Sequence, residues 1–194
     1  MTLAAAILAA MMALPCPRDE PADVCQPWRV VVSEAVERAA QEATCSGYWT
    51  MPSCVPVYDG APDEIASALV EVAYHESGLR MRIQAGDCRG PECDGVWSVK
   101  RQRWTGKHLA HSMWQLHQTP TIPGVEPLVS REKWLAVVGD EPTHVLTAAR
   151  TAAKVLVRNP GAFGLDSLLG TGPRGKAARK VLADIRKAEN GPRE

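Results

Sequence analysis

Phenylalanine is nearly missing from this chain: one Phe and three Tyr stand beside six Trp in 194 residues. With so few aromatics a core has to be filled by Ala, Val and Leu, which favours helices over a β-sandwich. Charge of one sign is missing too. The 22 Lys/Arg balance 22 Asp/Glu, which excludes a nucleic-acid binder resting on net charge. A hydrophobic content of 45% excludes wholesale disorder. No apolar run approaches the roughly 18–20 residues that a membrane-spanning helix needs. The length is about one domain's worth, so a two-domain enzyme and a fibrous repeat are set aside with the membrane protein.

The charge that is present is unevenly spread. From Arg150 to Glu194 ten Lys/Arg face four Asp/Glu, net +6, leaving −6 for residues 1–149 of a chain with zero formal charge. A basic end of this kind suits an anionic cell wall, nucleic acid or an acidic partner protein, or is simply a solvated helix face. Met1 to Leu14 is apolar enough to imitate a signal peptide, but it lacks an early Lys or Arg and a small-x-small cleavage site. It reads as a packed first helix, with a cleaved signal as the alternative.

Six cysteines fall at 16, 25, 45, 54, 88 and 93, all in the first half. Pairing between sequence neighbours (Cys16–Cys25, Cys45–Cys54 and Cys88–Cys93) is the simplest of the fifteen connectivities six cysteines allow. Bridges point to work outside the reducing cytosol, and free thiols would point inside it.

Periodicity predicts helices over Trp28–Ala43, Pro62–Gly78, Leu128–Val138, Pro142–Asn159 and Pro173–Ala188, and a short turn at Phe163–Leu169. Pro15–Pro27 and Thr44–Pro62 read as loops. Arg80 to Gly124 is a long Gly-, Cys- and His-rich stretch without clean periodicity, and a segment of that length inside a compact domain is usually functional. On the helix that ends at Gly78, the stripe Ile65, Leu69, Val72 continues at the same spacing into Glu76. A carboxylate on an apolar stripe is costly unless paired. Burial and the negative end of a helix both favour the protonated acid, the form that can protonate a leaving glycosidic oxygen. The competing reading is a structural Glu paired with Arg80 or Arg82.

The segment Ala73-Tyr74-His75-Glu76-Ser77-Gly78-Leu79 resembles the Glu-Ser-Gly signature of soluble lytic transglycosylases and goose-type lysozymes. Ala110-His111-Ser112-Met113-Trp114-Gln115-Leu116 is similar to that family's second signature, Ser-x-Gly-x-x-Gln, and Gly86-Asp87 through Asp94-Gly95 resembles the intervening loop of lysozyme-like proteins of tailed bacteriophages. The likeness covers roughly residues 60–188. It implies a mainly α, lysozyme-like (soluble lytic transglycosylase-like) helical domain with long irregular loops at 60–188. Residues 1–59 are then N-terminal helices and loops packing on that catalytic domain, and 189–194 a polar tail.

It further implies cleavage of the MurNAc–GlcNAc β-1,4 bond of peptidoglycan, with Glu76 as general acid and base and no cofactor. Ser77, Ser112, Gln115, Trp114 and His117 would bind or orient substrate, with Trp97 and Trp104 as further sugar-stacking candidates. Asp87 and Asp94 are candidates for a second carboxylate, Glu92 a weaker third. The implied setting is a phage virion, in the tail or inside the particle, acting on the cell wall or periplasm beside other virion proteins, without nucleic acid or a membrane span. A virion structural protein whose lysozyme-like fold no longer catalyses is the alternative.

Three departures stand out, the first an insertion at Val96 to Leu109 that lengthens the loop. Met113 occupies a position where relatives have Gly, and the late Tyr-Asn-x-Gly element is reduced to Leu168-Leu169-Gly170-Thr171-Gly172. A rival constellation, zinc at Cys88, Cys93, His108, His111 and His117, lacks a second Cys pair and is set aside, so no metal is expected.

Overall fold

The computed structural model describes residues 1–47, 50, 52–89, 92, 96–98, 103–105, 110–117 and 136–191, with backbone alone at 96–98, 103–105 and 117. Among these the chain is mainly helical. Helix α1 spans Leu3–Met12, α2 Ala22–Thr44, α3 Pro62–Ser77, α4 Met81–Gln84, α5 Pro142–Arg158 and α6 Pro173–Asn190, with a 3-10 turn at Pro160–Phe163. Among the described residues between α4 and α5 are two antiparallel hairpins. In the first, β1 (Val96–Ser98) pairs with β2 (Arg103–Thr105), setting Trp97 opposite Trp104. In the second, β3 (Ala110–His111) pairs with β4 (Leu116–His117), setting Ala110 opposite His117.

Helix α3 is the axis of the fold. It opens at Pro62 with Asp63 and Glu64 in its first turn, where acids suit the positive end of the helix. Glu64 Oε2 accepts hydrogen bonds from the Ala61 amide at 3.3 Å and the Tyr58 hydroxyl at 2.8 Å. The helix closes at Gly78, whose φ of +64° is a left-handed conformation that favours glycine. Every residue from Ile65 to Ala73 is buried, because α6, α2, α5 and α1 all pack against α3. A helix enclosed all round has no single apolar stripe.

One continuous core joins α1 and α2 to α3, α5 and α6, running through the 59/60 boundary expected from the motifs. Helix α1 buries Ala6, Ile7, Ala10 and Met11. Its C-terminal carbonyls are gathered by the buried Arg29 of α2, which donates to Met11 O at 2.7 Å, Leu14 O at 2.8 Å and Pro15 O at 3.0 Å. A guanidinium there complements the negative helix end, and burial pulls its pKa down. Helix α2 starts six residues before the expected Trp28 and carries Pro27 in its second turn. The helix runs through that proline because the Cys16–Cys25 disulfide and the burial of Trp28 and Arg29 hold the turn in place. The second described bridge is Cys45–Cys54. Cys88 is also disulfide-bonded, and its expected partner Cys93 lies outside the described residues.

Of the expected Leu128–Val138 helix only 136–138 are described. No described helix is long and apolar enough to cross a membrane.

Candidate functional site

The last two turns of α3 form one wall of a cleft of about 570 Å³. Glu71, Tyr74, His75 and Glu76 line it from the helix, Pro15, Cys16 and Pro17 face them, and Ala177 of α6 closes a third side. The opposing strap is held in three ways. The Cys16–Cys25 bridge ties it to α2, Arg29 holds the Leu14 and Pro15 carbonyls, and Asp19 receives Arg80 Nε at 2.8 Å and Arg82 Nη2 at 2.7 Å.

Glu76 sits at the mouth of this cleft, not sunk in the core as its place on the stripe suggested. Its side chain is 27% exposed, and Oε1 accepts a hydrogen bond from Arg174 Nη1 at 2.8 Å. An ion pair of the kind weighed from the sequence therefore exists, but with a partner 98 residues away on α6. Arg80 is engaged by Asp19, and Arg82 by Asp19 and by both Glu92 oxygens at 2.6 and 2.7 Å. The buried carboxyl expected at Glu76 is found at Glu71, which is only 8% exposed. Burial pushes the Glu71 carboxyl up, and the nearby Arg174 charge partly offsets this.

Arg174 is the residue sequence reasoning missed. It follows Gly170-Thr171-Gly172-Pro173, and that loop aims it. Asp166 Oδ2 accepts from the Thr171 and Gly172 amides at 3.0 and 3.3 Å, which sets the turn into α6. At Gly175 a Cβ would lie 2.0 Å from the Gly170 carbonyl oxygen, so only glycine lets the loop approach its own helix there. Nothing local in the sequence says which way Arg174 points. Glu71, by contrast, left a readable signal: an acid inside the apolar run Ala68-Leu69-Val70-Glu71-Val72-Ala73.

The other expected site residues divide. Ser77 is buried, its hydroxyl donating to Ala73 O at 2.8 Å and accepting from the Leu79 amide at 3.2 Å, so it closes the helix and does not orient Glu76. Residues 110–116 are not among those lining the cleft. Ser112 and Trp114 are both 0% exposed. Ser112 Oγ receives the Trp114 amide at 3.3 Å, and the indole Nε1 donates to Leu69 O at 2.9 Å. Trp114 is thus a core residue with no face for a sugar. Gln115 is half-buried and its Nε2 donates to Ser112 O at 3.1 Å.

The Met113 side chain is fully buried. The left-handed residues of this turn are Ser112 and Gln115, at φ +66° and +50°. The turn hangs on a second missed residue, the buried Gln84. Its Oε1 accepts from the Met113 amide at 3.2 Å, and its Nε2 donates to the Val137 and Gly139 carbonyls at 2.7 and 3.0 Å.

Asp87 is exposed and paired with Arg89 at 2.7 Å, and the hydrogen bond from that guanidinium lowers its pKa. Neither Asp87 nor Glu92 lines the cleft with Glu76. Asp94 lies outside the described residues, as do the side chains of His117, Trp97 and Trp104. Of the rival zinc ligands, the Cys88 sulfur is in a disulfide, while Cys93, His108 and the His117 side chain lie outside the described residues. No family profile, no curated protein and no solved structure matches the chain.

Proposed function

We propose that the protein is a peptidoglycan-degrading glycosidase of the lysozyme-like kind, cleaving the MurNAc–GlcNAc β-1,4 bond with Glu76 as general acid and base. The observation that carries the reading is the placement of Glu76: last turn of a buried helix, side chain at the mouth of a roughly 570 Å³ cleft, orientation fixed by one guanidinium. A carboxyl at that position, freed from the guanidinium by a bound sugar, can protonate the bridging oxygen as an oxocarbenium-like centre develops. It then deprotonates either the MurNAc 6-hydroxyl, leaving an anhydro end, or a water molecule. The resemblance of the Glu76 and Ser112–Gln115 segments to transglycosylase signatures supports the substrate. The disulfides at Cys16–Cys25 and Cys45–Cys54 support work outside the reducing cytosol, and we place the protein in a phage virion that opens the cell wall during DNA delivery.

A second reading is favoured by the Glu76–Arg174 ion pair itself, which is what a structural carboxylate would make. In that case the protein is a virion structural component that does not catalyse. A peptidoglycan gel assay on wild type and Glu76→Gln separates the two. Clearing by wild type that falls at least about a hundredfold in the variant supports the enzyme. No clearing by wild type, or equal clearing by both, overturns it. Mass analysis of the products then assigns the outcome, since the anhydro and reducing ends differ by one water.

A further inference from the structure

The cleft at Glu76 has a neighbour along the same helix. A second groove of about 370 Å³ lies between α1 and α6, lined by Ala9, Ala10 and Ala13 on one side and by Asp184, Lys187 and Ala188 on the other. The two cavities share two walls. On α6, Ala177 lines the cleft, and Asp184 and Ala188, seven and eleven residues on, line the groove, which puts all three on one helix stripe. Opposite them the chain runs from Ala13 in the groove into Pro15, Cys16 and Pro17 in the cleft. Cleft and groove are therefore consecutive stretches of one seam, with about 16 Å of helix axis between Ala177 and Ala188. That length suits an extended polymer better than a single small molecule.

The solvent side of the seam is basic. Lys176, Lys180 and Lys187 follow one another along the adjoining stripe of α6. All three are exposed, and none of their side chains has a hydrogen bond or ion pair among the described residues. The arginines of the same helix are spent internally, Arg174 on Glu76, Arg179 on the Leu169 carbonyl and Arg186 on Asp63. Asp184 is the one acid among the residues lining the groove, three positions before Lys187. A floor of alanines with unpaired cations along one edge suits a polymer whose backbone is uncharged and whose side groups carry carboxylates.

We propose that cleft and groove bind one continuous strand of an anionic, peptide-bearing glycan, with the bond to be cleaved at Glu76 and the carboxylates of the side groups against Lys176, Lys180 and Lys187. The lysines touch no reacting atom and are binding residues, keeping the protein on its polymer. The choice of a glycan rests on the reading of Glu76 as the acid that cleaves one.

The test is co-sedimentation of the full-length protein with insoluble peptidoglycan, on ice, over a range of salt. Lys180→Gln with Lys187→Gln removes two charges from the seam, and Lys154→Gln with Arg158→Gln removes two exposed charges from α5 as the matched control. The seam variant should bind about tenfold more weakly at low salt and show a shallower salt dependence, while the control binds like wild type. Ala9→Trp, at an exposed position lining the groove, should weaken binding with every lysine in place. Equal losses in the two charge variants, or no loss in the seam variant, overturn the proposal, as does a folded Ala9→Trp protein that binds like wild type. Duplex DNA that displaces the protein as fully as soluble wall fragments do would reveal a site for any polyanion and overturn the glycan. The gel assay is independent of these readings. Wild type that fails to clear, with the seam variant still losing binding, sinks the enzyme reading and leaves the seam; clearing with binding unaltered by the seam substitutions does the reverse.

Discussion

Two short motifs that the sequence suggests as parts of one site do opposite work in this fold. At the end of α3, Tyr74, His75 and Glu76 face a cleft, and the polar groups there are accessible to a ligand. In the hairpin between β3 and β4, Ser112, Met113 and Trp114 are wholly buried, and their polar atoms are spent on Gln84, on Leu69 and on the turn itself. The difference comes from what surrounds each segment. The end of α3 projects past the core towards a strap held at a distance by Arg29 and Asp19, whereas the hairpin is drawn onto α3 by a large indole. A Ser…Gln pattern can therefore serve architecture as well as chemistry, and the distinction lies in tertiary contacts.

The sharpest way to break this contrast is Trp114→Ala. The indole is among the largest fully buried side chains, so its loss costs about 3–5 kcal/mol, and more if the Leu69 carbonyl is left without its donor. For a chain of this size the melting temperature falls on the order of 10 °C. Under the glycosidase proposal, activity of the folded fraction should be retained. A variant with unchanged melting and no activity would return Trp114 to the sugar site and undo the contrast. Arg29→Met probes the other region. The Met11, Leu14 and Pro15 carbonyls lose their donors, at a cost of about 1–3 kcal/mol. The loss should concentrate in the strap, read as faster amide exchange over residues 13–20, whereas Trp114→Ala accelerates exchange around the hairpin.

How much of this was legible beforehand depends on whether the signal was local. Helix α3 was, since Pro62 and the two acids open it and Gly78 ends it within the sequence itself, and α5 and α6 announced themselves by their amphipathic spacing. Helix α2 was read six residues short, because Pro27 is a strong local stop that a disulfide and a buried Arg–carbonyl cluster override. Neighbour pairing of Cys16–Cys25 and Cys45–Cys54 was simple proximity. In the site, the position of Glu76 at a helix end was readable, and its burial was not, because a helix enclosed on all sides buries Glu71 as readily as its apolar neighbours. Arg174 and Gln84 act 98 and 29 residues from their partners Glu76 and Met113, and no periodicity connects them.

The smallest effect belongs to the outer fastening of the strap. Hydrogen bonds from Arg80 and Arg82 hold the Asp19 carboxyl well below the usual carboxylate range. Its side chain is 37% exposed, so solvent screening leaves the cluster worth about 1 kcal/mol at most. Because the folded group binds its proton less readily than the unfolded one, the stabilisation is present above the ordinary carboxylate midpoint near about pH 4. It is lost as the pH falls below that value. Asp19→Asn should therefore be less stable than wild type at pH 7 by no more than about 1 kcal/mol, and the gap between their urea midpoints should close as the pH is lowered through about 4 to 2. High salt at neutral pH should narrow the same gap, since exposed pairs are screened. A gap that stays constant from pH 7 to pH 2 would mean that Asp19 acts through packing or turn geometry. The strap would then be held by Arg29, the Cys16–Cys25 bridge and the Glu20 contact with the Arg82 amide.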